Sequence, residues 1–416
     1  MATLPSPRII PRPEHTISRK NIDPDALKVL YRLQRHGHTA YLVGGSVRDL
    51  LLGKKPKDFD ISTDAHPGQI RRLFHNSRVI GRRFRLVQVF FHGQKIVEVS
   101  TFRKAGEALE PEEDEVLCAN NTFGTPAEDA LRRDLTINAL FYDIADFSVV
   151  DYVGGLEDLQ AGRIRAVGDA EVRFHRDPVR VLRAVRHAAR TGFHLTEETL
   201  AAVTKHRDDL CLCPTSRIRD EFMRDLKGGA AAAWLELSHE TGVLYSLLPT
   251  LEPFYRDPAS PSRGQARDIL GKVDQLVAAA KQPPEDAVVL AALFWPALRE
   301  ACQALEPPEG RSGRPVWVGL VRDQLYELAS PVAFAKRVLD RMAQMTGVLW
   351  TVESLTPGSR LPKRVTDKGY FNDALALAEL LDLDLAAFAG PPPAKSGAKK
   401  RRRRRRKKAR PPAAEA

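Results

Sequence analysis

The sequence predicts an α+β domain, then an all-α region, then a disordered basic C-terminal arm. Three observations lead to this prediction. Helix and strand patterns alternate up to about residue 165, and helical periodicity prevails from residue 177 to about residue 385. Residues 395–416 hold twelve Lys or Arg and a single acid, Glu415. With 416 residues and 43% hydrophobic content, the chain can form several hydrophobic cores.

The first domain begins with a predicted helix over residues 25–36, where Leu and Tyr recur at helical spacing and Gly37 follows. "AYLV" (40–43) predicts a strand that ends at a Gly-Gly turn. Further elements are predicted over "SVRDLLLG" (helix), "KDFDIST" (strand), "HPGQIRRLF" (helix), "FRLVQVFF" (strand) and "KIVEVST" (strand), the last two joined at "HGQ". In the second half, clusters of Pro, Gly and Ser predict loops near 257–265, 306–314 and 356–362.

The basic arm accounts for the whole formal net charge of +11. It has too few apolar residues to fold, and such a segment attracts polyanions through counterion release. Nucleic acid is therefore the expected partner. A solubility tail and contact with an anionic membrane surface are the alternatives.

Cysteine usage shows neither a disulfide framework nor the spacing of a zinc site. The four cysteines are Cys118, Cys211, Cys213 and Cys302. This favours a reducing, cytoplasmic compartment. The first residues lack the apolar run of a signal peptide, and no apolar run reaches the ~20 residues that span a bilayer, so we expect a soluble protein without a transmembrane segment.

The "DFD" triplet places Asp58 and Asp60 on one face of a predicted strand, because residues two apart share a face. Their backbones would lie roughly 6.6 Å apart, a spacing from which two carboxylates can bracket metal ions about 3.5–4 Å apart. Mg²⁺ prefers a few carboxylates together with phosphate oxygens, so the pair suits a nucleoside triphosphate. Two solvated acids at a strand end are the structural alternative.

The Gly-Gly turn sits between a strand and a helix, where bare backbone N–H groups can approach an anion. Gly44 and Gly45 form this turn, and Arg48 and Asp49 follow one helical turn later. Arg48 could bind a triphosphate oxygen, and Asp49 could hold Arg48 or simply cap the surface.

A third acid would complete a two-metal site, and the sequence offers two candidates. Glu98 lies in "KIVEVST" on the opposite face from Val97 and Val99. Asp134 stands beside Arg132 and Arg133, where a positive neighbourhood would keep it ionised, although a structural salt bridge would look the same.

An arginine stripe is predicted in "RDPVRVLRAVRHAARTGF", with apolar residues on the other side of the helix. Without interleaved acids these arginines repel one another unless an anion offsets them, which favours binding of RNA backbone or nucleotide over a solvated face. The stripe consists of Arg180, Arg183, Arg186 and Arg190. Asp177, before Pro178, is predicted to cap the helix, and it could hydrogen-bond a base edge together with Arg180.

Three segments of the sequence resemble, in order and spacing, the motifs of class II template-independent RNA nucleotidyltransferases, the family of CCA-adding enzymes and bacterial poly(A) polymerases. They are "LVGGSVRDLLLGKKPKDFDIST", "RRDLTINAL" and "DPVRVLRAVRHAAR". "IIPRPEHTISRKNI", "VIGRRFRLVQVFF" and, more loosely, "FNDALALAEL" are similar to the poly(A) polymerase branch, of which a basic tail is typical.

The resemblance implies a head with a small mixed sheet and flanking helices, followed by an all-α neck, body and tail. It divides the chain into an N-terminal lead (1–24), a catalytic nucleotidyltransferase head (25–165), a neck for nucleotide selection and RNA binding (166–255), an RNA-binding body and tail (256–388) and the basic arm (389–416). It also implies polyadenylation, in which AMP passes from ATP to an RNA 3′-OH and pyrophosphate is released.

Roles for individual residues follow from the same resemblance. Asp58 and Asp60, with Glu98, would bind two catalytic Mg²⁺ ions, and Asp134 would serve in the active site. ATP would be held by Gly44, Gly45, Arg48, Asp49, Arg132, Arg133, Asn138, Asp177, Arg180 and Arg183. The expected partners are ATP, the 3′ ends of mRNA and of small and decaying RNAs, and RNA-degradation machinery.

The sequence departs from the family pattern at three positions. Arg176 precedes Asp177 where a Glu is usual, and Leu135 and His187 replace common Phe residues. Two other functions stay open: a CCA-adding tRNA nucleotidyltransferase, which shares the catalytic residues, and a catalytically idle RNA-binding protein on the same scaffold.

Overall fold

The computed structural model describes residues 4–81, 85–104, 123–280, 283–303, 313–330, 332–353, 355 and 359–388. The basic arm, Cys118 and residues 82–84 of "VIGRRFRLVQVFF" lie outside the described residues. Within them the prediction of an α+β domain followed by helices is confirmed.

The head is built on one mixed eight-stranded sheet in the order β1-β8-β7-β2-β3-β6-β5-β4. The strands are β1 (Arg8–Ile10), β2 (Ala40–Val43), β3 (Asp60–Thr63), β4 (Ser77–Ile80), β5 (Leu86–Phe90), β6 (Ile96–Thr101), β7 (Leu140–Asp143) and β8 (Val149–Asp151). The pair β3–β6 is parallel and the other pairs are antiparallel. The sequence analysis predicted β2, β3, β5 and β6 but missed the other four strands. Edge strand β1 comes from the segment predicted as a lead.

Register at the centre of the sheet positions the acidic residues. Val43, the last residue of β2, pairs with Asp60, the first residue of β3. On the other side of β3, Asp60 pairs with Glu98 of β6. The end of β2, the start of β3 and the middle of β6 therefore meet at one edge of the sheet.

In the described part of the head, five α-helices accompany the sheet. They are α1 (Pro24–Arg35), α2 (Gly45–Leu51), α3 (Pro67–Leu73), α4 (Pro126–Arg132) and α5 (Gly155–Gln160). Helix α1 begins where Asp23 accepts hydrogen bonds from the backbone N–H groups of Asp25 (2.8 Å) and Ala26 (3.3 Å). Its apolar residues at helical spacing are buried against the sheet, as the sequence pattern predicts.

The second half is helical. Its helices are α6 (Ala170–Arg176), α7 (Val179–Thr191), α8 (Glu197–His206), α9 (Thr215–Leu226), α10 (Ala231–Glu240), α11 (Val243–Leu247), α12 (Glu252–Tyr255), α13 (Ser262–Ala280), α14 (Asp286–Ala301), α15 (Gly313–Leu328), α16 (Lys336–Glu353), α17 (Lys363–Thr366) and α18 (Tyr370–Leu380). Helix α13 begins inside the segment 257–265 that was predicted as a loop. A parallel pair of two-residue strands, β9 (Arg163–Ile164) and β10 (His194–Leu195), escaped prediction because two residues show no periodicity.

Helix α7 connects the two halves of the molecule. Its buried residues Val181, Leu182 and Val185 pack into the hydrophobic core that the two halves share. The opposite side of α7 faces the sheet edge that carries Asp60, across a cleft. None of the described helices is long and apolar enough to cross a membrane.

Candidate active site

A cleft of about 780 Å³ lies between the central edge of the sheet and α7. All the residues to which the family resemblance assigned a role in catalysis, metal binding or ATP binding line this cleft. They are Gly44, Gly45, Arg48, Asp49, Asp58, Asp60, Glu98, Arg132, Arg133, Asp134, Asn138, Asp177, Arg180 and Arg183. Basic residues outnumber acidic ones in this lining, which suits a polyanionic ligand.

The Gly-Gly turn forms where it was predicted, between β2 and α2. Gly44 has a φ of +71°, which favours glycine, and a Cβ there would lie 3.1 Å from Nη1 of Arg133. Glycine therefore lets the Arg133 guanidinium approach the turn. Helix α2 has only seven residues, and several arginines line the cleft beside it.

Arg48 is held in place from three directions. Its Nε and Nη2 donate to Oδ1 of Asp49 at 2.9 and 2.8 Å. Its Nη1 donates to Oδ1 of Asn138 at 2.7 Å and to Nδ1 of His187 at 3.1 Å. Asp49 therefore holds Arg48, one of the two roles considered for it. Because Arg48 is only 9% exposed and these hydrogen bonds hold its guanidinium, that group has a fixed orientation in the cleft.

His187 accepts a hydrogen bond from Arg48, which requires a neutral imidazole. Burial, followed by the positive charge of Arg48, lowers the pKa of His187 well below its usual value, with partial opposition from the carboxylate of Asp134. A Phe, which the family pattern favours here, could not accept this hydrogen bond. The His therefore contributes to the polar network of the cleft and does more than replace a packing residue.

Arg132 and Arg133 are both anchored by Asp129 on α4, a residue that is 1% exposed. Nε of Arg132 lies 2.9 Å from Oδ1 of Asp129, and Nη2 of Arg133 lies 3.0 Å from Oδ2. The sequence analysis missed Asp129. Its signal was the spacing of three and four residues from the two arginines, which places all three on one face of a helix.

The acidic floor of the cleft consists of Asp58, Asp60 and Glu98. Glu98 is oriented as predicted and accepts a hydrogen bond from Nε2 of Gln88 at 3.0 Å. The Asp60 carboxylate is solvent-accessible, but the walls of the cleft surround it. Reduced hydration, followed by the charge of Glu98, raises the pKa of Asp60 to about 6, with Arg133 opposing and Asp58 adding to the rise.

The floor fits a hard divalent cation. Its donors are carboxylate oxygens, and the negative charges of Glu98 and Asp58 add to the rise that reduced hydration causes in the pKa of Asp60. Among the described residues, the three carboxylates do not form a group with all donor atoms within 4.8 Å of one another. Mg²⁺ takes part of its coordination from water and phosphate, so a site of this kind does not require such a compact group.

Asp134 is ionised for a different reason from the one predicted. Burial alone would raise the pKa of Asp134, but the charge of Arg183 and the hydrogen bond that it donates hold the pKa well below its usual value. Nε of Arg183 lies 2.6 Å from Oδ2 of Asp134. The prediction that Arg132 and Arg133 supply the positive neighbourhood was wrong, because Asp129 engages both of them.

Asp177 does not cap α7, contrary to the prediction. Pro178 occupies the cap position without a side-chain hydrogen bond. The Asp177 carboxylate instead lies 2.9 Å from Nη1 of Arg217 on α9 and 3.4 Å from Nε of Arg180. Arg217 also lines the cleft, and the sequence analysis missed it because its partner lies forty residues earlier.

The arginine stripe does not form one uniform face. Arg180, Arg183 and Arg190 line the cleft, but Arg186 is 6% exposed and pairs with Glu221 and Asp225 of α9. No acid is interleaved in the stripe, but acids from elsewhere in the chain pair with two of its arginines, Arg183 and Arg186. The acids come from distant segments of the chain, which spacing along one helix cannot reveal.

Two family models match the chain. The model described as "Poly A polymerase head domain" matches residues 40–165, and the one described as "Probable RNA and SrmB- binding site of polymerase A" matches residues 192–255. Residues from both matched ranges line the cleft, and so do residues of α7, which lies between the two ranges.

Among curated relatives, poly(A) polymerase I of Salmonella typhimurium is 40% identical over 357 residues, which is 84% of this chain and 76% of the relative. A CCA-adding enzyme of Bacillus licheniformis is 40% identical over 227 residues, 55% of this chain and 56% of the relative.

Among solved structures, the Bacillus stearothermophilus CCA-adding enzyme in complex with CTP superposes with a TM-score of 0.62 at 26% identity, covering 89% of this chain and 80% of that one. A tRNA nucleotidyltransferase complexed with a primer tRNA and an incoming ATP analog gives 0.56 at 25% identity, covering 85% and 95%. The chain therefore belongs to the family of bacterial poly(A) polymerases and CCA-adding enzymes and is a nucleotidyltransferase.

Proposed function

We propose that the chain adds AMP units from ATP to RNA 3′ ends without a template and with release of pyrophosphate. The observation that carries this proposal is the cleft, in which Asp58, Asp60 and Glu98 form a floor opposite a wall rich in arginine. Carboxylates suited to divalent cations and cations suited to a triphosphate are what nucleotidyl transfer requires. In this reaction the RNA 3′-OH attacks the α-phosphorus of ATP, and the bond to the pyrophosphate breaks.

The floor carboxylates would hold Mg²⁺, as the fit of their oxygen donors supports. Bound Mg²⁺ supplies a lower pKa to the attacking hydroxyl and neutralises charge on the departing pyrophosphate. Glu98 is the better candidate for the third carboxylate, because it pairs in register with Asp60. Asp134 is engaged by Arg183, so we propose that it positions that arginine.

The triphosphate would contact Arg133, Arg132 and Arg48 at the Gly-Gly turn. Asp129 and Asp49 orient these guanidinium groups in advance, so binding costs little side-chain entropy. Asn138 holds Nη1 of Arg48 and completes the same wall.

Base selection would fall to Asp177 and Arg180. A carboxylate accepts from an exocyclic amine and a guanidinium donates to a ring nitrogen, which matches the adjacent donor and acceptor on the base-pairing edges of adenine and cytosine. Guanine and uracil present a different pattern. The pair therefore favours ATP and CTP together, and the choice between these two depends on the space available to the base.

Polyadenylation is favoured over CCA addition by the extent of the likeness. The match to poly(A) polymerase I of Salmonella typhimurium covers 84% of this chain, whereas the match to the Bacillus licheniformis CCA-adding enzyme covers 55%. CCA addition stays the second candidate, because the solved structures that superpose include CCA-adding enzymes. Both activities would use the same cleft.

The test combines purified protein, Mg²⁺ and each NTP alone or mixed with two RNAs, an unstructured oligomer and a tRNA that lacks its terminal CCA. We expect long A tails on the oligomer from ATP alone. Addition that stops after three nucleotides on the tRNA would instead identify a CCA-adding enzyme. Failure to incorporate any nucleotide, with Asp58→Ala behaving like the parent, would identify an idle RNA-binding protein.

The basic arm would raise the local RNA concentration, as the charge of residues 395–416 supports. Removing these residues should weaken RNA binding at low salt while the single-turnover rate at saturating RNA stays unchanged. Loss of that rate would contradict the role. The family model over 192–255 supports RNA binding by the neck. A cytoplasmic location and contact with RNA-degradation machinery stay predictions from the sequence.

A further inference from the structure

A compact group of metal-ligating side chains lies outside the cleft, where α6 packs against α8. His175 stands near the end of α6, His206 ends α8, and Asp209 lies in the short 3₁₀ helix that follows. One donor atom from each residue lies within 4.8 Å of the other two. No other group of three or more His, Cys, Asp or Glu residues in the described part of the chain meets this condition.

His206 has one satisfied and one unsatisfied ring nitrogen. Its Nδ1 lies 2.7 Å from Oδ2 of Asp209. Its Nε2 is buried and has no hydrogen-bond partner among the described residues. The side chain as a whole is 7% exposed. An ion shared with Asp209 would therefore lie on the Nδ1 side of the ring, in place of the proton between Nδ1 and Oδ2, because Nε2 points away from Asp209.

The second histidine is placed to share such an ion. The His175 and His206 rings have centroids 5.6 Å apart and are tilted by 52°. His175 is exposed, so its ring can turn towards the Nδ1 side of His206 without disturbing the core. Ligand atoms around a tetrahedral zinc ion lie about 3.3–3.5 Å apart, so only a small adjustment of the three side chains is needed.

The chemistry of the donors selects the ion. Two imidazoles and a carboxylate suit Zn²⁺ and neighbouring transition metals, whereas Mg²⁺ and Ca²⁺ prefer oxygen ligands alone. The nearby Arg207 does not oppose the ion strongly, since its Nη1 donates to the backbone oxygen of Thr241 at 2.8 Å.

We propose that His175, His206 and Asp209 form a Zn²⁺ site that fastens the end of α6 to the end of α8. The site is separate from the acidic floor of the cleft, because none of its three residues lines that cleft. Its position still matters to the cleft, since Asp177 lies two residues after His175. Zinc at this site would hold the backbone that leads into Asp177.

The test uses the full chain without an affinity tag, treated with a chelator and then titrated with Zn²⁺ at neutral pH in excess Mg²⁺, so that the acidic floor does not compete. Calorimetry measures the stoichiometry, and Co²⁺ in place of Zn²⁺ reports the geometry by visible absorption. We expect one equivalent of tight binding, a tetrahedral Co²⁺ spectrum and a rise in Tm of about 2 °C or more.

Variants separate a site at this cluster from adventitious binding. His175→Gln changes an exposed residue and should fold normally, yet it should weaken Zn²⁺ binding at least tenfold and abolish the Co²⁺ spectrum. Asp209→Asn should do the same to a smaller degree. The matched control is His38→Gln, which removes a His–Asp pair with Nδ1 3.1 Å from Asp64. Equal binding by parent and His175→Gln, or no binding by the parent, would overturn the proposal.

Discussion

The acids of the floor and the acids on the opposite side of the cleft differ in whether they form ion pairs. In the part of the chain that the structure describes, Asp58, Asp60 and Glu98 of the floor form no ion pair. On the other side of the cleft the acids are paired, Asp134 with Arg183 and Asp177 with Arg217. A paired acid stabilises the fold and orients its partner, whereas an unpaired acid attracts a cation. The difference separates residues that serve chemistry from residues that serve position.

The largest effect is expected from the floor. Asp60→Asn removes a charge that would hold Mg²⁺, so the single-turnover rate of nucleotide addition should fall on the order of 10³-fold. The free energy of unfolding should change little or rise, because a repulsive charge is lost. Asp64→Asn, on an exposed aspartate near the other end of β3, is the control and should leave the rate unchanged. A parent-like rate in Asp60→Asn would remove the floor from the chemistry.

Arg186 tests the structural character of the wall. Arg186→Met leaves Asp225 buried without its partner and removes one of the two arginines that pair with Glu221, which should cost about 3–5 kcal/mol in the free energy of unfolding. Arg190→Met is the matched control, since that exposed guanidinium donates only to the backbone oxygen of Arg224, at 3.0 Å. It should cost at most about 1 kcal/mol. Denaturant titration measures the free energy of unfolding of both variants. Equal losses would contradict the distinction between the buried, paired Arg186 and the exposed Arg190.

As the pH falls, Asp60 of the floor should become protonated before Asp134 does. The pKa of Asp60 is raised to about 6, so the ionised carboxylate destabilises the metal-free fold above pH 6, and this penalty disappears below about pH 4, where folded and unfolded chains are both protonated. Protons therefore compete with Mg²⁺. At subsaturating Mg²⁺ the rate should fall about tenfold from pH 7 to pH 5.

Asp134 cannot cause that loss, because its pKa is lowered and it stays ionised over the same range. More Mg²⁺ should move the midpoint of the pH profile to lower pH. The rate is measured across this pH range at two Mg²⁺ concentrations. A midpoint that does not move would exclude competition between protons and Mg²⁺ at Asp60.

The smallest effect is expected at the partner of Asp177. Arg217→Ala frees the Asp177 carboxylate to change its orientation, and the ratio of kcat/KM for ATP over GTP should change about 2–5-fold, as for other partly exposed ion pairs. Arg219→Ala on the same helix is the control, because that side chain donates to the backbone oxygen of Ala333 at 3.1 Å, away from Asp177. An unchanged ratio would show that Arg180 alone orients the acid.

Much of the site was predictable because its parts are local. "AYLV" followed by Gly-Gly predicts the strand and turn at Gly44, and alternation along "KIVEVST" places Glu98 away from the core. Strands β7 and β8 escaped prediction because they are buried and short, and such strands lack the alternation that reveals a half-exposed strand.

The sequence by itself determined the types of residue in the cleft, their local elements and the family resemblance, because turn chemistry and side-chain periodicity act over a few residues. Only the tertiary structure decided which charges meet. Asp134 pairs with Arg183, Asp177 pairs with Arg217 and Asp60 lies opposite Glu98, across 49, 40 and 38 residues of the chain. Electrostatic energy depends on distance in space, and distance along the chain does not specify it.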